Sequence, residues 1–391
     1  MKRMFSLIII ICLVCGLAVP LLADETGVTD TEILIGSSSA LEGDASYLGI
    51  QTNNGFMAYL NSVNAAGGVN GRKLKLIALN DGYEPLPCVE MTKKLINEYK
   101  VFMLANYVGT PTSVKAYLVW TYAKIPATGF FTGAEALRKP FNRYNIHIRG
   151  SYYKELSAII DVFVKELGLK KIAVFYQDDA FGESVKKAAE IALEKFKMVP
   201  IAYGIFERNT LKIEEGLAKI KDSQPEAIVM VGTYAPLARF VKEAKKSGLT
   251  KTFFHTVSFV GPEALAANLG ADSDNVFLTL VMPPYAESNL PIVKEYLGAL
   301  SKYYPNDSAN FVSLEGFVNA KVMVEGLRRA GRDLTREKYI NAIETIKPGE
   351  MGSGLKFNYG PTDHEGLTDI YIAQIKNGKY VEVKDQGSVR K

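Results

Sequence analysis

Two turns of the sequence carry hydroxyl side chains in positions suited to binding a small anion. The first, residues 109–112 (GTPT), follows an apolar run, and Pro111 suits the first turn of a helix, where no backbone hydrogen bond is lost. We therefore predict a helix that begins there with Thr110 as its N-cap. The second turn, residues 130–135 (FFTGAE), follows another apolar run and places Thr132 just ahead of a second helix start.

The two turns belong to consecutive strand–helix units of the predicted fold. In an open parallel sheet both would lie at the carboxyl edge of the strands, which is where ligands bind. Free N–H groups, hydroxyls and the positive ends of two helix dipoles would converge there, and together they suit a carboxylate. Each turn alone is typical of an ordinary capped helix, whereas the pair on neighbouring units indicates a binding site.

A regular alternation of strands and helices positions these turns. The alternation begins at residue 32 and starts afresh after residue 149, and the chain closes on a hairpin with strands at 369–375 and 380–383. The dipeptide Asn-Gly at 377–378 is a strong type I′ turn signal between those strands. Strands that alternate with helices indicate parallel sheets covered by helices on both faces. The predicted fold class is α/β, with two doubly wound, Rossmann-like lobes.

Composition indicates a folded protein without a nucleic-acid partner. A chain of 391 residues suggests two domains, and its apolar content of 48% and charged content of 23% are typical of soluble folded proteins. The net charge is only +4, and no block of Lys and Arg is dense enough to indicate nucleic-acid binding. We expect a monomer, and we interpret Cys88 as a packed apolar residue because no second cysteine remains beyond the first 23 residues.

The N-terminus indicates export. Basic residues at positions 2 and 3 precede an uncharged run, 4–22, which matches the charged and apolar regions of a secretory signal peptide. An uncleaved membrane anchor is the competing interpretation, since the run is almost long enough to span a bilayer. Pro20 and the small residue Ala23 favour cleavage. We therefore expect a signal peptide at 1–23 and a periplasmic product.

The sequence gives no support for an enzyme. Residues 36–40 (GSSSA) follow the first strand but lack the glycines of a dinucleotide-binding fingerprint, and neither a P-loop nor a nucleophile elbow is present. The histidines His147, His255 and His364 lack the spacing of metal ligands. We predict neither catalysis, nor a cofactor, nor a metal site.

The chain resembles the type I periplasmic solute-binding proteins of the leucine/isoleucine/valine-binding family, which serve ABC importers. The resemblance covers essentially the whole chain after the signal peptide, and its most specific segment is 61–72 (NSVNAAGGVNGR). The other segments that carry it are 33–36 (ILIG), 43–49 (GDASYLG), 80–83 (NDGY), 109–112 (GTPT), 131–135 (FTGAE) and 178–183 (DDAFGE).

The resemblance implies two lobes joined by three crossovers, with a ligand cleft between the lobes. The crossovers would lie near Arg149, Met282 and Glu365. The implied lobe limits are 28–149 with 282–364 for the first lobe, and 150–281 with 365–391 for the second.

In this family the ligand carboxylate is held by hydroxyls and backbone amides at two helix starts, and aromatic residues wall the cleft. With the aromatic residues on loops that could face the cleft, the expected ligand-binding residues are Tyr47, Tyr107, Thr110, Thr112, Phe130, Phe131, Thr132, Tyr152, Phe181, Tyr234 and Ser258. Phe259 lies on such a loop as well.

The sequence departs from the family pattern at two places. Ser258 stands where relatives carry a carboxylate for the ligand ammonium, and this favours an apolar or aromatic carboxylate over a plain aliphatic amino acid. Tyr83 and the region around residues 108–109 replace the cysteines of a small disulfide loop. The expected function is capture of a small carboxylate for a permease, and an exported sensor that signals to a membrane partner is the alternative.

Overall fold

The computed structural model describes residues 25–286, 288–376 and 379–383. The predicted signal peptide at 1–23 and the hairpin turn at 377–378 lie outside the described residues. Among the helices of the described residues, none combines the length and the apolar character needed to span a membrane.

The first part of the chain builds a parallel sheet in which every pair of neighbouring strands is parallel, in the order β2-β1-β3-β4-β5. Its strands are β1 (Glu32–Ser39), β2 (Lys73–Asn80), β3 (Met103–Ala105), β4 (Ala127–Thr128) and β5 (Asn145–Ile146). The helices between them are α1 (Ser46–Ala65), α2 (Pro85–Asn97) and α3 (Thr110–Tyr122), with a 3₁₀ turn at Glu135–Leu137.

The middle of the chain repeats the alternation in a second sheet. Its helices are α4 (Tyr152–Asp161), α5 (Ala180–Glu194), α6 (Glu214–Asp222), α7 (Tyr234–Lys246) and α8 (Pro262–Leu269). Its parallel strands are β6 (Ile172–Gln177), β7 (Tyr203–Phe206), β8 (Ala227–Val231), β9 (Phe253–Thr256) and β10 (Val276–Leu280). Strands β6, β8, β9 and β10 are buried along most of their length, as expected for a sheet covered on both faces, whereas the edge strand β7 alternates exposed and buried residues.

The last part of the chain completes both units. Helices α9 (Pro291–Tyr303), α10 (Phe311–Ala330) and α11 (Arg336–Glu344) return to the first unit, where α9 and α10 pack on α1. Strands β11 (Tyr371–Lys376) and β12 (Lys379–Glu382) then extend the second sheet as an antiparallel hairpin. We call the first sheet with α1–α3 and α9–α11 the first lobe, and the second sheet with α4–α8 the second lobe.

The chain passes between the lobes three times, after β5, after β10 and before β11. This architecture confirms the predicted α/β fold with two doubly wound lobes, and the hairpin strands lie within two residues of their predicted positions. The lobe limits 28–149 with 282–364, and 150–281 with 365–391, stay a prediction.

The start of α3 differs from the prediction. Helix α3 begins at Thr110 itself, and the residue before it is Gly109 with a φ of 101°. A glycine takes this conformation without strain, and because Gly109 occupies the N-cap position, Thr110 is the first residue of the helix and does not cap it. The Thr110 hydroxyl is therefore available for another partner, which proves to be Thr132.

Helices α1 and α10 touch backbone to backbone. A Cβ atom on Gly55 would lie 1.7 Å from the carbonyl oxygen of Ser313, and one on Gly316 would lie 2.0 Å from the carbonyl oxygen of Thr52. No side chain fits at either position, so the two glycines set the separation of the helices. The position of α10 relative to the rest of the first lobe depends on this contact.

We predict that Gly316→Ala lowers the free energy of unfolding by about 3 kcal/mol, because the new methyl group overpacks a backbone contact. The control is Gly298→Ala in α9, where a Cβ atom would meet nothing within 4 Å. That change should instead raise the free energy of unfolding by about 0.5–1 kcal/mol, because alanine is the better helix former. Urea denaturation followed by circular dichroism measures both. Equal effects would contradict the proposed close contact.

Candidate functional site

The two predicted turns lie side by side where the lobes meet. Thr110 Oγ1 and Thr132 Oγ1 are 2.6 Å apart, and both residues are 1% exposed. The Tyr152 hydroxyl, which belongs to the second lobe, lies 3.3 Å from Thr132 Oγ1. A bridge between Val108 and Phe131 extends the pairing of β3 and β4 beyond the strands, and this backbone contact aligns the two turns. Three hydroxyl groups thus converge at one buried point.

Thr112 has a different role. Its hydroxyl donates to the backbone carbonyls of Val108 and Gly109, so it fastens the start of α3 to the chain before it. The side chain is fully buried. Of the three predicted threonines, Thr110 and Thr132 are the two whose hydroxyls meet.

Aromatic rings from both lobes surround these hydroxyls. Phe131 of the first lobe lies 5.5 Å from Phe259 of the second lobe, measured between ring centroids. Phe259 in turn lies 4.5 Å from Phe181, and Phe181 lies 5.5 Å from the ring of Tyr152. All four side chains are buried. The structure therefore brings together three of the predicted aromatic residues and Phe259 in one interlobe cluster.

Tyr83 belongs to the same interface, although it was predicted only as a replacement for a cysteine. Its ring lies against Gly109, where a Cβ atom would be 2.4 Å away, and its hydroxyl accepts a hydrogen bond of 3.3 Å from Gln177 Nε2. Its φ of 63° is rare for a bulky residue and is held by a hydrogen bond from its N–H to Asp81 Oδ1. Strained backbone of this kind is often found at functional sites.

Tyr47 and Tyr234 form a second interlobe contact. Their ring centroids are 5.9 Å apart in an edge-to-face arrangement, and both are partly buried. Gly261 lies beside them, because a Cβ atom there would be 3.4 Å from the Tyr47 ring and 3.5 Å from the Tyr234 ring. Burial raises the pKa of both tyrosine hydroxyls, so both remain neutral at physiological pH.

Tyr107 and Phe130 are not part of the interlobe cluster. The Tyr107 hydroxyl lies 2.8 Å from the Thr92 hydroxyl, and Trp120 packs between the rings of Tyr107 and Phe130 inside the first lobe. The reason is the alternation of side chains along extended backbone. Since Phe131 faces the second lobe, its neighbour Phe130 must face the opposite way.

Ser258 is bonded to buried charged residues. Its hydroxyl donates to Glu155 Oε1 at 2.9 Å and accepts a hydrogen bond from Arg149 Nη2, and its N–H donates to Glu155 Oε2 at 2.8 Å. A carboxylate thus lies next to the position where relatives carry one, but it comes from α4. These charged residues were not predicted from the sequence as part of the site. The one sequence signal for Glu155 and Glu315 is a charged residue within an apolar helical pattern, and Arg149 was predicted only to mark the position of a crossover.

The charged cluster contains one cation and two carboxylates. Arg149 lies 3.6 Å from Glu155 and 3.5 Å from Glu315, and its guanidinium carbon lies 5.0 Å above the ring of Phe131. Burial raises the pKa of Glu315 to about 7, although Arg149 opposes this and Glu155 adds to it. Burial also raises the pKa of Glu155, which Arg149 and three hydrogen bonds oppose.

The rim of the interface is open, and both apolar and charged side chains line it. A groove of about 960 Å³ is lined by the first residues of α2, α3 and α5. At its edge Arg208 of the second lobe forms an ion pair with Glu84 of the first lobe, and Asn209 donates to the same carboxylate at 2.7 Å. Within the described residues, no group of three or more His, Cys, Asp or Glu side chains is arranged to hold a metal ion.

Comparison with known proteins agrees with this architecture. A family model described as "Periplasmic binding protein" matches residues 32–379. The Leu/Ile/Val-binding protein homolog 7 of Brucella suis is 21% identical to this chain over 94% of its length and 95% of the relative's length. Both matches cover the two lobes and all three crossovers.

Solved structures agree as well. A possible leucine/isoleucine/valine-binding protein from Rhodopirellula baltica is 32% identical with a TM-score of 0.88, and the match covers 94% of this chain and 100% of that one. A fatty acid ABC transporter substrate-binding protein from Thermomonospora curvata shares the fold at 22% identity with a TM-score of 0.81, covering 92% of this chain and 93% of that one. These findings confirm the resemblance, and with it a ligand-binding protein of the ABC-transport type in place of an enzyme. The chain belongs to the periplasmic binding protein family.

Proposed function

We propose that this protein is an exported receptor that captures a small carboxylate-bearing solute between its lobes and presents it to the permease of an ABC importer. The observation that carries the proposal is the pair of buried hydroxyls of Thr110 and Thr132, with the Tyr152 hydroxyl beside them. Each hydroxyl can donate to a carboxylate oxygen. A hydrogen bond to a charged group contributes about 1.5–3 kcal/mol, so two or three of them with apolar burial support micromolar binding.

The walls of the site favour an apolar or aromatic ligand. Phe131, Phe181 and Phe259 supply rings from both lobes, and such rings suit a planar or bulky apolar group. The Ser258 hydroxyl is already bonded to Arg149 and Glu155, so it has little capacity left for a ligand ammonium. A buried ammonium is costly unless an acceptor pairs with it. Of the two carboxylates in this cluster, Glu155 is already bonded to Ser258, Thr279 and Arg149, which leaves Glu315 as the acceptor that an amino acid would need.

An aliphatic amino acid is the second candidate ligand. The Brucella suis relative is named for leucine, isoleucine and valine, whereas the Thermomonospora curvata neighbour is named for fatty acids. Both kinds of ligand have a carboxylate and an apolar group, and they differ in the ammonium. The ammonium is therefore the feature to test.

Lobe closure couples binding to transport in this proposal. Tyr152, Phe181 and Phe259 belong to the second lobe, so they complete the site only when the lobes are together. A ligand then shifts the balance between open and closed forms by its differential affinity for the two. The closed form is the one that the permease recognises.

We predict that deaminated acids stabilise the protein at least as well as the matching amino acids. The test is a thermal shift with leucine, phenylalanine, 4-methylpentanoate and 3-phenylpropanoate in parallel. A ligand at 100 times its Kd stabilises the folded state by about 2.7 kcal/mol, which is readily measured as a rise in Tm. Stabilisation by the amino acids alone would show that the ammonium is recognised and would contradict the proposed ligand class.

We predict that Thr110→Val weakens binding of the best acid from that panel about tenfold, because one charge-assisted hydrogen bond is lost while the shape is kept. Isothermal titration calorimetry measures the affinity. The matched control is Thr121→Val at the other end of α3, where the hydroxyl donates to the carbonyl of Tyr117. Equal affinity of the two variants would remove Thr110 from the site.

We predict that the same acid reduces the radius of gyration of the protein, because three crossovers permit hinge bending between the lobes. Small-angle X-ray scattering with and without saturating ligand measures the change. A scattering profile that stays the same at saturation would argue against a hinged receptor.

A further inference from the structure

The first turns of α10 contact the second lobe near the crossovers. Phe311 and Glu315 are four residues apart, so they lie one turn apart on neighbouring parts of the helix surface. The N–H of Phe311 donates to Glu263 of α8 at 3.0 Å, and Glu315 pairs with Arg149 beside Ser258. Each lobe thus places one carboxylate against the other.

Glu263 presents a largely buried carboxylate between the lobes. Its Oε1 accepts hydrogen bonds from the Tyr285 hydroxyl at 2.9 Å and from the N–H of Phe311, while its Oε2 is buried without a hydrogen-bond partner. In the part of the chain that the structure describes, no Lys, Arg or His lies within ion-pair distance of it. The titratable groups that face it are the hydroxyls of Tyr47 on α1, Tyr285 on the second crossover, Tyr296 on α9 and Tyr380 on β12.

Within the described residues, Arg149 is the one cation at ion-pair distance from Glu315, and Glu155 shares it. Arg149 faces both Glu315 and Glu155, but Glu155 also takes hydrogen bonds from the Ser258 N–H, the Ser258 hydroxyl and the Thr279 hydroxyl. Glu315 Oε1 is buried and has no hydrogen bond beyond its 3.5 Å contact with Arg149. Glu155 is therefore the better stabilised anion, and Glu315 carries the excess negative charge.

Both carboxylates are easier to bury when they are protonated. Burial raises the pKa of Glu263 from its usual 4.5 to about 7, and burial together with Glu155 raises the pKa of Glu315 to about 7. When the lobes separate, water reaches both groups and their pKa values return toward the usual value. Closing then takes up protons between about pH 4.5 and 7, and the free energy that favours the closed form is lost as the pH rises through about 7.

We propose that closure of the two lobes is coupled to protonation of Glu263 and Glu315, so that mildly acidic solution favours the closed, ligand-holding form. The inference rests on the hinged receptor proposed above and adds a regulation of the same site. Acidification retains a bound solute, and a higher pH promotes opening and release.

The test measures the distance between the lobes directly. Nitroxide labels are placed at Glu90→Cys on α2 and Lys187→Cys on α5, whose side chains are 67% and 61% exposed. The buried Cys88 and the two cysteines of the predicted signal peptide, Cys12 and Cys15, are replaced by alanine so that only the two introduced thiols are labelled. Double electron–electron resonance on the full chain without ligand should show the ratio of closed to open populations falling about tenfold or more between pH 5.5 and 8.5, since each unit of pKa shift is worth a factor of ten.

Two sets of variants distinguish the contribution of Glu263 and Glu315 to the pH dependence from that of other titratable side chains of the protein. Glu263→Gln with Glu315→Gln should make the ratio independent of pH, because glutamine keeps the Oε1 acceptor and cannot titrate. Each single variant should reduce the pH dependence by part, which preserves the test if the double variant does not fold. The control is Glu325→Gln on the same helix, where the carboxylate pairs with Arg329 at 2.7 Å, and it should behave like the parent protein.

Either of two results overturns the inference: distances that do not change with pH in the parent protein, or a pH dependence that persists unchanged in the double variant. A separate measurement at pH 7 with the best-binding acid distinguishes the proposed function. If the ligand shortens the distance between the labels but that distance does not depend on pH, the proton coupling is wrong and the proposed receptor function still stands. Failure of every acid to shorten the distance would count against the receptor function alone.

Discussion

The structure depends on the compensation of one buried positive charge. The Arg149 side chain is fully buried, and a guanidinium in that position is tolerated only when carboxylates and acceptors surround it. The groups that surround it come from α4, from the turn at Ser258 and from α10. A residue on the first crossover thus ties together both lobes, and its charge determines which carboxylates can remain ionised.

The second constraint is the position of α10, which is set by the lack of space for a side chain between α10 and α1. Because Gly55 and Gly316 bring α1 and α10 into backbone contact, α10 is held close enough for Phe311 and Glu315 to reach the second lobe. Packing inside one lobe therefore sets the electrostatics between the lobes. A substitution at either glycine would alter the interface without touching a residue of the ligand site.

Local sequence signals predicted the architecture and the meeting of the two hydroxyl-bearing turns. The turns at 109–112 and 130–135 converge because strand pairing continues beyond β3 and β4, which a parallel sheet implies. Phe130 and Phe131 follow a strand of only two residues, and their side chains point in opposite directions. The sequence pattern does not indicate which of the two faces the cleft. The ion cluster was not predictable, because Glu315 lies far from Arg149 in the sequence and meets it only through tertiary packing.

The aromatic contact between the lobes has a calorimetric consequence. When the lobes close, Phe131 meets Phe259, and Tyr83 packs between Gly109 and the second lobe, so the protein removes its own apolar surface from water. Burial of apolar surface lowers the heat capacity. The heat-capacity change of binding therefore contains a contribution from the lobes as well as from the solute. A small solute captured by the proposed closure should therefore show a larger heat-capacity change than its own apolar surface accounts for.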